Sequence, residues 1–175
     1  YNYVVTGRDL SLPLPPQSGE YILNLIDTPG HVDFSYEVSR SVAASEGALL
    51  LVDATQGVQA QTLTTVYKAM EYNLKIIPVL NKVDMDIAEV DRVKLEMMDT
   101  FGFSEEEIIL ASGKTGLGVK EILDTIVERV PSPTVKSQDQ QMKSLVFDAF
   151  FHEYKGVTAL VKVVSGEISK GDKLY

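Results

Sequence analysis

The sequence predicts an α/β fold, a parallel sheet with helices on both faces, followed by the start of a separate β-domain. Apolar runs followed by helical periodicity begin near residues 22, 48, 76 and 108. This alternation is typical of successive βαβ units. The run 47–53 is apolar almost throughout, as expected for a strand that is covered on both faces. Beyond residue 143 only strand-like runs and turn residues follow.

Taken in order, the elements divide the chain at about residue 135. Apolar runs at 1–6 and 20–27 predict a hairpin with a proline-rich connection. The run from Tyr21 to Ile26 is interpreted as a buried strand. The remaining periodicity predicts helices at 33–45, 58–72, 88–101 and 119–130, and strands at 47–53, 75–80 and 107–111. The apolar side of the helix at 88–101, with its methionines as core filler, is predicted to consist of Val90, Val93, Leu95, Met97 and Met98. We therefore predict an α/β domain over 1–135, a linker over 136–142 and the beginning of a β-domain over 143–175.

The composition excludes several functions. The net charge is −9, and residues 1–135 hold 10 Lys and Arg against 20 Asp and Glu. A domain this acidic is poorly suited to bind a phosphate backbone broadly, so we expect no DNA partner. The chain has no cysteine, which excludes disulfides and thiolate metal sites from it. It also has no apolar run of the length that a membrane-spanning helix needs.

Each predicted parallel strand ends on a polar residue: Asp27, Asp53, Asn81 or Ser112. Ligands of open α/β sheets bind outside these carboxyl ends. The first strand continues as Asp27-Thr28-Pro29-Gly30-His31, in which Asp27 can hold Mg²⁺ through water and Gly30 lets a backbone N–H approach a phosphate. The pentad is typical of the magnesium and γ-phosphate sensor of a GTPase. The alternative is an ordinary strand that ends in a Pro-Gly turn.

Two further segments at the same edge suit a guanine base. In Asn81-Lys82-Val83-Asp84, the Asp84 carboxylate can accept two hydrogen bonds from guanine, which adenine cannot donate. Asn81 can bond the N7 side of the base and tie neighbouring loops, and the stem of Lys82 can cover the purine while its ammonium stays in water. In Ser112-Gly113-Lys114, the Gly113 N–H is placed to meet guanine O6, and Ser112 and Lys114 support the loop.

Gly113-Lys114-Thr115 is not the end of a phosphate-binding loop, because the first glycine that such a loop needs would fall at Ile108. No other segment supplies this loop. We expect it, together with the first switch, to precede Tyr1, and we expect residues 1–175 alone to hydrolyse little GTP.

Taken together, these motifs resemble the LepA, or elongation factor 4, family of translational GTPases. The resemblance rests on residues 27–41, 59–62 and 81–84, and on Lys-Gly-Val at 155–157 and Lys-Gly-Asp at 170–172. It implies a P-loop-GTPase-like sheet followed by a translation-factor β-barrel. Two departures are the long proline-rich segment 6–19 and Gly113, where alanine is more usual.

The resemblance implies ribosome-stimulated hydrolysis of GTP to GDP, with a role in back-translocation, fidelity or ribosome assembly. Asp27 would hold Mg²⁺ through water, Gly30 would contact the γ-phosphate, and His31 would orient the attacking water. The implied partners are ribosomal RNA and proteins. We expect a monomer in the bacterial cytoplasm, with peripheral association at the inner membrane face as a further expectation, or in the mitochondrial matrix of a eukaryote.

Three alternatives stay open from the sequence. The chain could belong to a pseudo-GTPase that binds guanine nucleotide or ribosomes without catalysis. His31 could be a surface histidine after a turn. Asp53 is interpreted as a turn residue at the end of its strand, and His152 as a surface histidine.

Overall fold

A computed structural model of the chain describes residues 2–5, 21–28, 35–133 and 141–173. No helix within these ranges has the length and apolar character needed to cross a membrane. A 3₁₀ turn at Glu105–Glu107 precedes the fifth strand. The strands and α-helices follow the order β1 (Asn2–Val5), β2 (Ile26–Thr28), α1 (Ser35–Ala44), β3 (Gly47–Asp53), α2 (Ala60–Glu71), β4 (Lys75–Asn81), α3 (Val90–Phe101), β5 (Ile109–Leu110), α4 (Val119–Arg129), β6 (Lys143–His152) and β7 (Gly156–Ser165).

Strands β3, β4 and β5 form a parallel sheet in that order. One apolar cluster joins β3 and β4 to the buried side chains of α2 and α3, among them Val66, Val93 and Met97. A second cluster joins β4 and β5 to Ile122 and Ile126 of α4. Because the two clusters lie against different helices, the sheet is enclosed between helical layers. The predicted α/β class is confirmed.

The first predicted strand differs from the expectation. Strand β2 covers only Ile26–Thr28 and pairs antiparallel with β1, as a hairpin of 1–6 with 20–27 requires. Within the described ranges it is not hydrogen-bonded to the three-stranded parallel sheet. Tyr21 and Ile22 are 36% and 70% exposed, so the prediction of a buried strand over this run is wrong. Both residues precede β2 and lie in no strand, so they are not covered by the packing of a sheet.

Helix α3 shows how the apolar residues divide. Val93 and Met97 are four residues apart, lie on one face and are fully buried. The methionine therefore fills the core, as predicted. Leu95 lies two residues from each of them, on the far side of the helix, and is 59% exposed. Its assignment to the apolar face was wrong.

Pro78 lies buried inside the central strand β4, where a proline is unusual. The C=O of Leu80 accepts a hydrogen bond from the N–H of Ala111, so Leu80 faces β5. Pro78 is two residues earlier and faces the same neighbour. Pairing with β5 begins only at Val79, so the missing N–H of Pro78 interrupts no bond of that ladder.

Strands β6 and β7 form an antiparallel hairpin. This agrees with the predicted β-rich segment after residue 143, while the predicted linker lies largely outside the described residues. The hairpin meets the α/β part through an ion pair between Lys162 and Glu46, which lies between α1 and β3. Phe147 of β6 is buried.

The αL residue Gly118, which precedes α4, provides a stability test. Its φ is +73°, and a Cβ there would lie 2.1 Å from the C=O oxygen of Leu110. Gly118→Ala should lower the free energy of unfolding by about 2 kcal/mol or more, since a backbone atom must move. Gly102→Ala is the control: φ is +74° but nothing lies within 4 Å, so only about 1 kcal/mol of backbone strain is expected. Equal losses in urea denaturation would contradict this account.

Candidate functional site

The carboxyl ends of the parallel strands gather polar residues from three loops. The last residues of β3 and β4, Asp53 and Asn81, are register partners. Ser112 follows β5 by two residues. The structure therefore brings together three of the four predicted strand-end residues.

The fourth, Asp27, lies in β2, where it is exposed and is not part of this sheet among the described residues. Thr28 is the last residue of β2. Pro29, Gly30 and His31 lie outside the described residues. The magnesium, γ-phosphate and catalytic roles assigned to the pentad therefore stay predictions.

Asn81 connects the loops of all three strands. Its C=O oxygen accepts a hydrogen bond from the N–H of Ala54 at 2.9 Å, which continues the β3–β4 ladder. Its side-chain Oδ1 accepts from the N–H of Gly113 at 3.1 Å, across to the loop after β5. The N–H of Val83 donates to the C=O of Ala111 at 3.3 Å. The contact between loops that the sequence suggested for Asn81 is present.

The same contact changes the expectation for Gly113. Its N–H was expected to meet guanine O6, and here it already donates to Asn81. A base that took this donor would share or replace the Asn81 bond. Lys114, the next residue, is exposed.

Ser112 is fully buried and acts inside its own loop. Its N–H donates to the C=O of Leu117 at 3.0 Å, and its C=O accepts from the N–H of Gly116 at 2.9 Å. Its Oγ accepts from the N–H of Thr115 at 3.1 Å. These bonds hold the loop that presents Gly113, which is the supporting role expected of Ser112.

Lys82 follows Asn81 with a left-handed backbone, φ 64°. Its ammonium Nζ lies 2.6 Å from Oδ2 of Asp53, although the side chain is 48% exposed. The sequence analysis predicted that this ammonium stays in water. In the structure it forms an ion pair across the ends of two neighbouring strands.

The Asp53 carboxylate is held at both oxygens. Oδ1 accepts from the N–H of Thr55 at 2.8 Å and from its hydroxyl at 2.7 Å. Burial raises the pKa of Asp53, but the hydrogen bonds from Lys82 and Thr55 and the charge of Lys82 outweigh it, so the pKa lies below its usual 3.8. Asp53 is the turn residue at the end of its strand that the sequence predicted, since the N–H groups of Gln56 and Gly57 donate to its C=O. Sequence reasoning missed its ion pair with Lys82. The signal available was a carboxylate at the end of one predicted strand and a lysine directly after the end of the next.

Asp84 is exposed on the turn that follows Val83. Val83 packs against the larger apolar cluster and so anchors this turn. The Asp84 carboxylate is therefore accessible to a ligand, and the backbone next to it is anchored through Val83. Within the part of the chain that the structure describes, no group of three or more His, Cys, Asp or Glu residues could hold a metal ion.

Comparisons with known proteins show which family the chain is similar to. The family described as "Elongation factor Tu GTP binding domain" matches residues 9–132. Proteins named elongation factor 4 are 57% identical over 155 residues in Phytoplasma mali and in Phocaeicola vulgatus, and 56% identical in Fusobacterium nucleatum. Each match covers 89% of this chain and 26% of the relative. The chain thus spans about a quarter of the length of these relatives.

A solved structure shares the fold. The crystal structure of a bacterial selenocysteine-specific elongation factor, EF-Sec, aligns with a TM-score of 0.66 at 25% identity. The alignment covers 83% of this chain and 26% of that one.

The Asp53–Lys82 pair predicts a pH dependence. Because the pKa of Asp53 is lowered in the folded state, the pair stabilises the fold above pH 3.8, and this contribution is lost as the pH falls through the folded pKa. Lys82→Ala should raise the pKa of Asp53, because the hydrogen bond and the charge of Lys82 are then lost. Of these two partners, only Thr55 still lowers the pKa against the effect of burial. NMR titration of the Asp53 carboxyl measures this pKa. Lys120→Ala, which removes the remote pair with Asp124, is the control. An unchanged Asp53 titration in Lys82→Ala would contradict the assignment.

Proposed function

The chain belongs to the elongation factor Tu GTP binding domain family, and on that premise we propose that it is the nucleotide-binding part of a ribosome-dependent GTPase of the elongation factor 4 kind. The observation that carries this proposal is the position of Asn81-Lys82-Val83-Asp84. The segment continues from the end of β4, and its first side chain is bonded to Gly113 in the loop after β5. Guanine recognition uses residues of both loops.

Asp84 supplies the choice of base. Its exposed carboxylate accepts hydrogen bonds from guanine N1–H and from the exocyclic amine. Adenine offers an acceptor at N1 and no 2-amino group, so it would leave the carboxylate without these partners. A site of this kind discriminates by ~10⁴. Asn81 supports the N7 side of guanine, and the stem of Lys82 covers one face of the ring.

The triphosphate end of the site is assigned to the pentad. Mg²⁺ commonly binds proteins through one or two carboxylates and completes its shell with water and phosphate oxygens. A single exposed carboxylate such as Asp27 fits that donor requirement, and the metal when bound would neutralise charge on the phosphates. Gly30 would let a backbone N–H approach the γ-phosphate, because glycine has no side chain in the way. Thr28 and Pro29 are proposed to belong to the same nucleotide-binding segment.

His31 is proposed as the catalytic residue. A neutral imidazole has one donor and one acceptor nitrogen, so it can orient a water molecule toward phosphorus. Phosphoryl transfer depends mainly on positioning and on charge stabilisation. Contact with ribosomal RNA would place His31 for this step, which accounts for stimulation by the ribosome. No observation favours the non-catalytic alternative.

The proposal extends to the rest of the chain. Residues 1–135 form the nucleotide domain, 136–142 the linker, and 143–175 the beginning of a β-barrel domain that meets the first domain at the Glu46–Lys162 pair. The ribosome is the proposed partner, and action during elongation or ribosome assembly is the proposed role. The acidic surface is consistent with a small contact to ribosomal RNA. We further propose a monomer in the bacterial cytoplasm, with peripheral membrane association as the alternative there, or in the mitochondrial matrix if the source is a eukaryote.

Base selection can be tested at Asp84. In the complete protein, Asp84→Asn should weaken GTP binding about 10²-fold and favour xanthosine triphosphate, because the new amide can donate to the xanthine carbonyl. Competition binding with both nucleotides measures the preference. Asp86→Asn removes the same charge from an exposed position two residues away and should change neither affinity. An unchanged preference for GTP in Asp84→Asn would show that Asp84 does not read the base.

Catalysis can be tested at His31. His31→Ala in the complete protein should leave GTP and GDP affinities nearly unchanged and lower ribosome-stimulated hydrolysis by ~10² or more. Single-turnover hydrolysis on saturating ribosomes measures the chemical step. His152→Ala is the matched control, since His152 is the other of the two histidines and lies exposed at the end of β6. Hydrolysis within a few-fold of wild type in His31→Ala would refute the catalytic role.

A further inference from the structure

We propose that Asp53, oriented by Thr55, is a positioning residue for guanine binding, because it holds the Lys82 side chain across the ends of β3 and β4. This inference rests on the proposed function, in which the stem of Lys82 covers the base. Asp53 itself would not touch the nucleotide.

The first support is the unusual backbone of Lys82. Two non-glycine residues in the described ranges have a positive φ, Asn73 and Lys82. Asparagine is several-fold enriched in this conformation, whereas lysine has no such preference. A lysine kept in a sparsely populated region requires surroundings that stabilise it, and such residues cluster at ligand sites.

The second support is that both ends of the Lys82 side chain are fixed. The backbone leaves β4 at Asn81, whose C=O bonds Ala54 and whose Oδ1 bonds Gly113. The ammonium lies 2.6 Å from the Asp53 carboxylate. The four methylene groups between them span the gap between two strand ends. The Lys82 side chain is 48% exposed, and its methylene stem is the apolar part that would cover a planar ring.

The third support is that hydrogen bonds fix the Asp53 carboxylate itself. Thr55 donates twice to Oδ1, which leaves Oδ2 directed to Lys82. The N–H groups of Gln56 and Gly57 donate to the C=O of Asp53 at 3.1 and 2.9 Å, closing the turn on the same residue. Asp53 is thus a fixed point for a long side chain that would otherwise sample many rotamers.

The functional consequence is pre-organisation. A lysine that is already ordered loses less conformational entropy when the base binds, and affinity rises by that difference. Base selection depends on Asp84 and should not change with the order of Lys82. Loss of Asp53 should therefore weaken all guanine nucleotides together without altering the preference between bases.

The test measures GDP affinity in the complete protein by calorimetry. Asp53→Asn keeps an Oδ1 acceptor for Thr55 and removes the charge that holds Lys82; it should raise the Kd for GDP about 5- to 10-fold. Lys82→Met keeps an unbranched stem without the ammonium. In that background the added Asp53→Asn change should alter the Kd less than twofold. Asp124→Asn, which breaks the exposed pair with Lys120, is the control and should leave the Kd unchanged.

Two results would overturn the proposal. One is a Kd within twofold of wild type for folded Asp53→Asn. The other is an equal effect of Asp53→Asn with and without Lys82→Met, since Asp53 would then act independently of the lysine. If Asp53→Asn does not fold, Thr55→Val replaces it, with a two- to threefold rise in Kd that again must depend on Lys82. If the wild-type protein did not bind GDP, the proposed function itself would be refuted. If it binds GDP and Asp84→Asn changes the preference to xanthosine triphosphate as expected, a negative result for Asp53→Asn refutes this inference alone.

Discussion

The parallel pairing of β3 with β4 is the constraint on which the rest of the site depends. Their ladder runs in continuous register and ends with Asp53 opposite Asn81. Apolar clusters pack the sheet against different helices. Because such cores are closely packed, the carboxyl edge of the sheet is a rigid platform. A shift of either strand by one residue would turn its end side chain to the other face of the sheet and separate it from its partners.

From that platform the protein divides its polar residues into two groups. Ser112 and Oδ1 of Asn81 are used within the protein, where they fix the loop after β5. Asp84 and much of Lys82 remain exposed. A buried polar group that lacked a partner would be costly, so the supporting residues are bonded internally and the exposed residues are left for a ligand.

The charge of the domain also fits this division. Residues 1–135 carry twice as many acidic as basic side chains, so an anionic nucleotide gains little from the overall field. Recognition would instead rest on directed hydrogen bonds to the base. The Lys82 ammonium is already paired with Asp53, which makes its stem the more suitable part to contact a ring.

The sequence by itself determined the α/β class, the order of the elements and the segments at the sheet edge. These follow from hydrophobic periodicity and from polar residues at strand ends. Both signals are local, because they depend only on residues that are close together in the sequence. It misjudged the run at Tyr21 and Ile22 and the face of Leu95, because burial depends on which neighbours cover a surface. It also missed the ion pair of Asp53 with Lys82. Only the tertiary structure decided that pair, because a lysine has several rotamers, and its choice depends on a carboxylate that the register of another strand brings within 2.6 Å.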